Sequence, residues 1–226
     1  MFEIGKNHRP NASKRMKKSR IFLGNMPVII LAIFHLVGIL GLLSPFAENF
    51  KWLTPFHLML CFVLLVGSQK KYDASFAAFL MLSYLVGFSA EWIGVHKGWL
   101  FGDYHYGKVL GPGLDEIPFM IGINWYLLSY SAGQIVAKLK FRPWLTAVLG
   151  ALLMTGLDFL IEPVAIHLEY WVWETPEIPW TNYLGWFVVS LPLQWASVYW
   201  NRENNPVGSW LFVLQLLFFI ALNFLN

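Results

Sequence analysis

The sequence predicts an all-α membrane protein, a polytopic bundle of about seven transmembrane helices. Hydrophobic residues make up 57% of the 226 residues and charged residues only 13%, against about 25% charged in an ordinary soluble domain. Several apolar runs reach the roughly 20 residues that cross a bilayer. The basic residues flank these runs and form no readable nucleic-acid motif, so no nucleic-acid partner is expected.

Seven apolar runs are the candidate spans. They cover residues 26–43, 50–67, 74–95, 118–139, 144–167, 183–200 and 207–225. Thirteen of the 16 Lys and Arg residues fall in the N-terminal tail and in the loops 68–73, 138–142 and 201–206. Because cytoplasmic loops carry an excess of Lys and Arg, the N-terminus is predicted to be cytoplasmic and the C-terminus to lie outside.

The first twenty residues carry seven Lys and Arg residues and are predicted to form a disordered basic cytoplasmic tail. No clear small-residue cleavage site follows the first apolar run, which predicts an uncleaved anchor. Residues 21–226 are predicted to form a single transmembrane domain in a bacterial or archaeal cell (inner) membrane. The single cysteine, Cys61, is interpreted as a packing residue.

Acidic residues are concentrated between residues 158 and 186, where four tryptophans accompany them. On a helix, residues four apart share a face and residues eleven apart return to it, so Asp158, Glu162 and Glu169 are predicted to line one stripe. A rise of about 1.5 Å per residue places Asp158 inside the hydrocarbon, and Glu91 and Glu162 near its outer boundary. Ionisable groups at such depths are costly and are candidates for function.

Other polar groups are expected to converge with the acids if the spans pack as a bundle. His57 enters the second span from the same side, His35 lies in the middle of the first span, and Asn124 lies in the outer half of the fourth. A structural role within the bundle is the alternative for both histidines. The long connection 96–118, rich in glycine and aromatic residues, is either an interfacial aromatic belt or a lid over a lipid-like substrate.

Several membrane chemistries are excluded by their missing motifs. The sequence has no H-x-x-x-H and H-x-x-H-H set, no H-E-x-x-H, no G-x-S-x-G and no phosphate-binding glycine loop. We therefore expect neither a metal nor a cofactor. Carboxylic acids beside aromatic surfaces remain, and carboxyl groups crowded in a dry site cannot all ionise.

A protonated carboxyl group can act as a general acid. Protonation of an isolated carbon–carbon double bond gives a carbocation, which aromatic faces stabilise. Water then adds at the more substituted carbon, with a second carboxylate as base. On this chemistry we assign Asp158 as proton donor and Glu162 or Glu91 as the base that activates water. The predicted substrate-binding residues are Tyr104, Tyr106, Trp171, Trp173, Trp125, His57, Asn124 and Asn182.

Two spaced blocks of residues resemble the membrane carotenoid hydratases, of the bisanhydrobacterioruberin hydratase and γ-carotene 1',2'-hydratase type. The first block contains Glu91, Gly94, Gly98, Phe101-Gly102, Tyr104, Tyr106, Gly111, Pro118 and Trp125. The second contains Leu157-Asp158, Glu162-Pro163-x-Ala165, Trp171-x-Trp173, Ile178-Pro179, Asn182 and Gly185-Trp186. The chain departs from the family where it has Glu162-Pro163 in place of Asp-Pro, Lys97 in place of Thr, and a shortened stretch at 175–177.

The resemblance implies a carotenoid biosynthesis enzyme that adds water across the terminal 1,2 double bond of an acyclic ψ-end group and gives a tertiary alcohol. Its implied partners are the carotenoid, water and membrane lipid, and contact with other enzymes of the pathway is also expected. Two alternatives remain open. A lycopene-cyclase-like enzyme would protonate the same bond and close a ring, and a proton-coupled transporter or lipid-binding membrane protein would use the acids as a proton relay.

Overall fold

The structure, a computed structural model, describes residues 12–201 and 203–225, with side chains from residue 25 onward. In these ranges the chain forms α1 (Ala12–Leu42), α2 (Ala47–Phe50), α3 (Thr54–Gly67), α4 (Ala74–Lys97), α5 (Phe119–Val136), α6 (Pro143–His167), α7 (Trp180–Trp200) and α8 (Pro206–Leu225). The short strands are β1 (Tyr104–Tyr106), β2 (Gly113–Leu114), β3 (Ile117–Pro118) and β4 (Trp171–Trp173). The all-α prediction is confirmed, and the strands lie in two connections between helices.

Five helical segments are long and apolar enough to cross a membrane. They are Asn25–Leu42, Ala47–Gly67, Ala74–Lys97, Pro143–His167 and Pro206–Leu225. These segments support the prediction of a membrane protein. The count of seven spans and the orientation of the N-terminus stay predictions, because α5 and α7 are not among the five.

Helix α5 lies at the centre of the bundle. It packs against α3, α4, α6, α7 and α8, and most of its residues are buried. A helix enclosed on all sides does not present its polar residues to lipid. Polar side chains such as Asn124 and Gln134 therefore face protein, and they lower the hydropathy of a helix that the other helices surround.

The predicted basic tail falls partly outside the described residues. Residues 1–11 lie outside them, whereas residues 12–20 belong to α1. The prediction of disorder is therefore wrong for residues 12–20. Their sequence, Ala-Ser-Lys-Arg-Met-Lys-Lys-Ser-Arg, contains no Gly or Pro, and Lys, Arg, Met and Ala all have good intrinsic helix propensity.

Local signals fix several helix ends. The Asp73 side chain accepts a hydrogen bond from the Phe76 backbone N–H at 3.0 Å and caps the start of α4. Gly98 ends the same helix with φ +63°, in the left-handed conformation that glycine adopts without steric cost. Pro143 occupies the first turn of α6, where a missing N–H costs nothing.

The connections of the bundle gather at two ends. At the first, which we call the site end, β1 pairs with β4, and the side chains of Lys51 and Thr54 bond to those of Glu169 and Tyr170, each at 2.6 Å. At the second, which we call the amide end, the backbone N–H groups of Lys70 and Lys71 donate to Glu203, and Ala137, Lys140 and Asn201 line one pocket. Successive helices that run in alternating directions place their connections at two ends in this way.

Candidate active site

Two short antiparallel strands present four polar aromatic side chains to one face. In β1 and β4, Tyr104 lies opposite Trp173 and Tyr106 lies opposite Trp171. Successive side chains of a strand point to opposite faces, so both tyrosines and both tryptophans point into the bundle. His105, between the tyrosines, is exposed. The Y-x-Y and W-x-W spacings therefore aim two phenol O–H groups and two indole N–H groups at the same space.

Glu91 on α4 receives three of the donors in this space. Tyr104 and Tyr106 donate their hydroxyl hydrogens to Glu91 Oε2 at 2.5 and 2.7 Å. Trp125 on α5 donates from Nε1 to Glu91 Oε1 at 2.8 Å. Glu91 is buried, so this carboxyl group is held in one position by neutral donors from a strand and a helix.

Glu162 on α6 is surrounded in the same way. Trp171 and Trp173 donate from Nε1 to its Oε2 at 3.1 and 2.9 Å, and Asn182 on α7 donates from Nδ2 to its Oε1 at 3.1 Å. Asn182 Nδ2 also donates to Asp158 Oδ2 at 2.9 Å. The two amide hydrogens of Asn182 therefore join Glu162 to Asp158.

No described Lys, Arg or His makes an ion pair with Glu91, Asp158 or Glu162. Ionised carboxylates only accept hydrogen bonds, whereas a protonated one must also donate. Glu91 and Glu162 are surrounded by donors. Asp158 accepts one hydrogen bond, and its buried Oδ1 has no partner among the described residues. This pattern suits Glu91 as an acceptor carboxylate and one proton shared by Asp158 and Glu162, which Asn182 links.

A small cavity lies between Glu91 and Glu162. Its volume of about 20 Å³ suits about one water molecule, which needs roughly 10–15 Å³ on this measure. The lining residues are Glu91, Phe101, Tyr104, Tyr106, Ile121, Asn124, Trp125, Glu162, Trp171, Trp173, Asn182 and Trp186. Asp158 lies behind Asn182 and does not line the cavity.

Aromatic rings cover the sides of this cavity. Trp125 stacks on Trp186 with centroids 4.2 Å apart and an interplanar angle of 13°. Tyr104 packs against Trp173 with centroids 5.0 Å apart. Electron-rich ring faces attract a cation within about 6 Å of the centroid. The cavity therefore offers carboxyl groups and cation-stabilising surfaces around the same small volume.

Burial keeps the two tyrosine hydroxyls protonated. Desolvation, reinforced by the nearby charge of Glu91, raises the pKa of Tyr104 well above its ordinary value. The same two causes raise the pKa of Tyr106. Both phenols thus remain hydrogen-bond donors to Glu91 across the physiological pH range.

A model of one protein family, described as "Carotenoid biosynthesis protein", matches residues 49–225. This match covers most of the chain and every residue of the cavity. The chain belongs to this carotenoid biosynthesis family. The resemblance drawn from the two sequence blocks is therefore confirmed at the level of the family.

One curated relative of this family member is the bisanhydrobacterioruberin hydratase of Haloarcula japonica. The two sequences are 27% identical over an alignment of 175 residues, which covers 70% of this chain and 60% of the relative. The chain thus spans about 60% of the relative's length. No solved structure matches the chain.

Most of the predicted site residues of this family member lie together. Glu91, Glu162, Tyr104, Tyr106, Trp171, Trp173, Trp125, Asn124 and Asn182 all line the cavity, and Asp158 is one hydrogen bond away from it through Asn182. Trp186, Phe101 and Ile121 also line the cavity, and the sequence did not predict them as site residues. A signal for Trp186 was present, because it follows Asn182 by four residues and so shares its helix face.

The structure does not place His57 in this site. Its imidazole packs against that of His35 on α1, with ring centroids 4.5 Å apart, and it lines a different cavity. His57 therefore does not converge with the carboxyl groups, and its role in substrate binding stays a prediction. It lies near the same end of the bundle, but α3 turns this face toward α1 and α8 and away from α4 and α6.

The predicted stripe of three acids is also wrong in its last member. Helix α6 ends at His167, and Glu169 follows with φ +58°, so it leaves the face that Asp158 and Glu162 share. Glu169 instead pairs with Lys51 at 2.6 Å. The helical spacing holds only while the helix continues.

Proposed function

We propose that this protein is a membrane carotenoid hydratase, which adds water across the terminal 1,2 double bond of an acyclic carotenoid end group and gives a tertiary alcohol. The observation that carries the proposal is a pair of buried carboxyl groups, Glu91 and Glu162, on a cavity with room for about one water and with aromatic sides. Membership of the carotenoid biosynthesis family and a relative named as a hydratase support the same reaction.

In this proposal Asp158 and Glu162 hold the catalytic proton between them. Asn182 bonds to both, and two carboxyl groups so close in a dry site do not both ionise. Glu162 faces the cavity and delivers the proton to the less substituted carbon of the double bond. Asp158 lies behind Asn182, where it stores the proton and returns it to Glu162. Asp158, predicted as the proton donor, therefore acts through Glu162.

Glu91 is the proposed base. Its two oxygens are fixed by the donors Tyr104, Tyr106 and Trp125, which hold the carboxylate toward the cavity. A water bonded to it is oriented for attack at the tertiary cation. The new C–O bond forms as Glu91 removes a proton from that water, and transfer of this proton back to the Asp158–Glu162 pair restores the site.

The aromatic rings stabilise the intermediate cation. Trp125, Trp186 and Trp173 present faces or edges around the cavity, and a cation over a desolvated ring gains about 2 kcal/mol. Hydration involves no net oxidation, so the reaction requires no redox cofactor. The space for about one water is too small for an isoprenoid end group, so carotenoid binding requires the cavity to widen.

The test is the mass of the pigment made when the full chain is expressed in cells that accumulate lycopene or γ-carotene. We expect a product heavier by one water, with its oxygen taken from ¹⁸O-labelled water. Glu162→Gln, which keeps the shape of the side chain, is expected to remove this product. Glu174→Gln, an exposed acid that pairs with His105, is the matched control and is expected to keep it.

The alternatives give different outcomes in the same cells. A pigment of unchanged mass and altered retention would replace hydration by cyclisation. A product whose oxygen comes from O₂ would exclude the acid-catalysed route. No change in either pigment, although the protein is inserted in the membrane, would argue against acyclic carotenoids as substrates.

A further inference from the structure

Two histidines and the cysteine meet away from the carboxylate site. His35 lies on α1, and His57 and Cys61 lie four residues apart on α3, so they share one face of that helix. One nitrogen of each imidazole and Cys61 Sγ lie within 4.8 Å of one another. We propose that these three side chains bind one soft metal ion, with Cu⁺ preferred over Zn²⁺.

The hydrogen bonds of the imidazoles leave nitrogen lone pairs for a metal. His35 Nδ1 donates to the Leu31 carbonyl oxygen at 2.8 Å, so Nε2 of the neutral ring carries the lone pair. A ligating histidine typically donates its other N–H in this way, which fixes the ring. His57 Nε2 is buried and has no hydrogen-bond partner among the described residues.

Packing alone does not account for the His57 nitrogen. The two imidazoles meet edge to face at an interplanar angle of 76°, and Phe218 packs against both. These contacts use ring faces and edges, whereas buried polar atoms in proteins almost always have a polar partner. A metal ion would satisfy His57 Nε2 and also engage the buried thiol of Cys61.

The ligand atoms are close to the spacing that a metal requires. Metal–nitrogen bonds of about 2.0 Å and metal–sulfur bonds of about 2.3 Å separate neighbouring ligand atoms by roughly 3.3–3.8 Å. The observed limit of 4.8 Å closes to this range with side-chain movements of about 1 Å. The three ligands come from two helices, so no sequence motif marks them. The sequence therefore predicted no metal.

Charge favours a monovalent ion. Binding converts the Cys61 thiol to a thiolate and releases its proton to water, while both imidazoles stay neutral. The complex with Cu⁺ then has no net charge, whereas the complex with Zn²⁺ carries one positive charge. Net charge inside a hydrocarbon-spanning bundle is costly, and thiolate with imidazole is a donor set that suits copper.

The ion would join α1 to α3 beside a second cavity. His57 lines this cavity of about 360 Å³, whose other lining residues are mainly apolar and come largely from α1 and α3, with Phe218 from α8. A shared metal would fix the two helices where the cavity would otherwise let them separate.

The test uses the full chain, purified in detergent without a polyhistidine tag, and titrated with Cu⁺ under reducing conditions and separately with Zn²⁺. We expect one Cu⁺ per chain, and one sulfur and two nitrogen scatterers in X-ray absorption. Cys61→Ser and His57→Phe should each weaken Cu⁺ binding by at least about 100-fold, beyond the usual effect of losing an outer-shell partner.

His167→Phe is the matched control, since His167 is exposed at the end of α6, and it should bind Cu⁺ as the wild type does. Equal affinity in Cys61→Ser or His57→Phe would overturn the site. Bound Cu⁺ with no sulfur scatterer in the wild-type chain would do so without reliance on any variant. Tighter binding of Zn²⁺ than of Cu⁺ would overturn the assignment of the ion.

Discussion

Both ends of the bundle bury polar side chains, but the two ends do so with different chemistry. At the amide end, Gln134 donates to Asn201 Oδ1 and to the Glu203 carbonyl at 2.9 and 2.8 Å, and it accepts from the Asn205 backbone N–H at 2.9 Å. All these groups are neutral and mutually paired. At the site end, three buried acids, among them Glu91, depend on neutral donors alone.

The difference distinguishes buried polar groups that stabilise the fold from buried polar groups that a reaction requires. Matched amides cost little to bury, because each donor and acceptor finds a partner. Buried carboxyl groups without cations are costly to the fold. The acids at the site end are therefore the groups for which a function is required, and substitution should affect the two ends differently.

The largest effect is expected from removing the charge of a cavity carboxyl group. Glu162→Gln and Glu91→Gln should each lower hydration by about 10²–10⁴-fold, the usual contribution of a general acid or base. The measurement is pigment turnover in membranes, normalised to the amount of inserted protein. Either variant with near-wild-type turnover would contradict its assigned role.

Asp158→Asn tests whether the second acid works through the first. We expect a loss similar to that of Glu162→Gln, and a double variant hardly worse than either single one, because groups that act as one unit are not additive. The effects are compared as ratios of turnover at matched protein levels. Losses that multiply in the double variant would show that Asp158 acts independently of Glu162.

A glycine next to the site gives a smaller effect on turnover. A Cβ at Gly87 would lie 2.1 Å from the Trp125 ring, so Gly87→Ala should displace the indole that donates to Glu91 and lower turnover by about 10-fold, within the usual cost of a misplaced supporting group. Gly156→Ala is the control, because a Cβ added there would pack against no other part of the chain within 4 Å. Equal turnover in both variants would show that Trp125 does not need its present position.

The amide end should respond in stability and not in turnover. Gln134→Leu leaves partners of Gln134 unsatisfied, and each buried unsatisfied group costs about 1–3 kcal/mol. We expect a lower melting temperature in detergent and unchanged turnover per folded molecule. Glu162→Gln should differ by losing turnover per folded molecule, whatever its melting temperature. A Gln134→Leu variant that folds normally but loses turnover would contradict the stated difference between the two ends.

The sequence predicted much of the site because helices follow a fixed period. Asp158 and Glu162 share a helix face from their spacing alone. The apolar runs likewise located the ends of α4 to α8 to within three residues, whereas α1 begins 14 residues before its apolar run. These features depend on local chain geometry, which the order of residues determines directly.

The remaining features depend on contacts between distant segments. The pairing of β1 with β4 places Tyr106 opposite Trp171. The sequence of two three-residue strands does not specify which of their residues pair. The face that α3 turns toward α1 placed His57 away from the acids, and the end of α6 removed Glu169 from their stripe. Each outcome was decided by packing between elements that the spacing within one element does not report.

The smallest effect is expected from the ion pair at the edge of the site end. Buried Lys51 pairs with Glu169 at 2.6 Å and with Glu48 at 2.8 Å, so Glu169→Gln leaves one partner in place and should lower the melting temperature slightly, with turnover unchanged. The hydrogen bond and charge of Lys51 lower the pKa of Glu169 below its ordinary value. A lowered folded-state pKa stabilises the protein above the ordinary glutamate pKa, about 4.3, and this stability is lost as pH falls through the folded value. The wild-type and variant melting curves, measured from pH 7 downward, should therefore converge in acid, and a gap that widened instead would mean that the pair does not stabilise the fold.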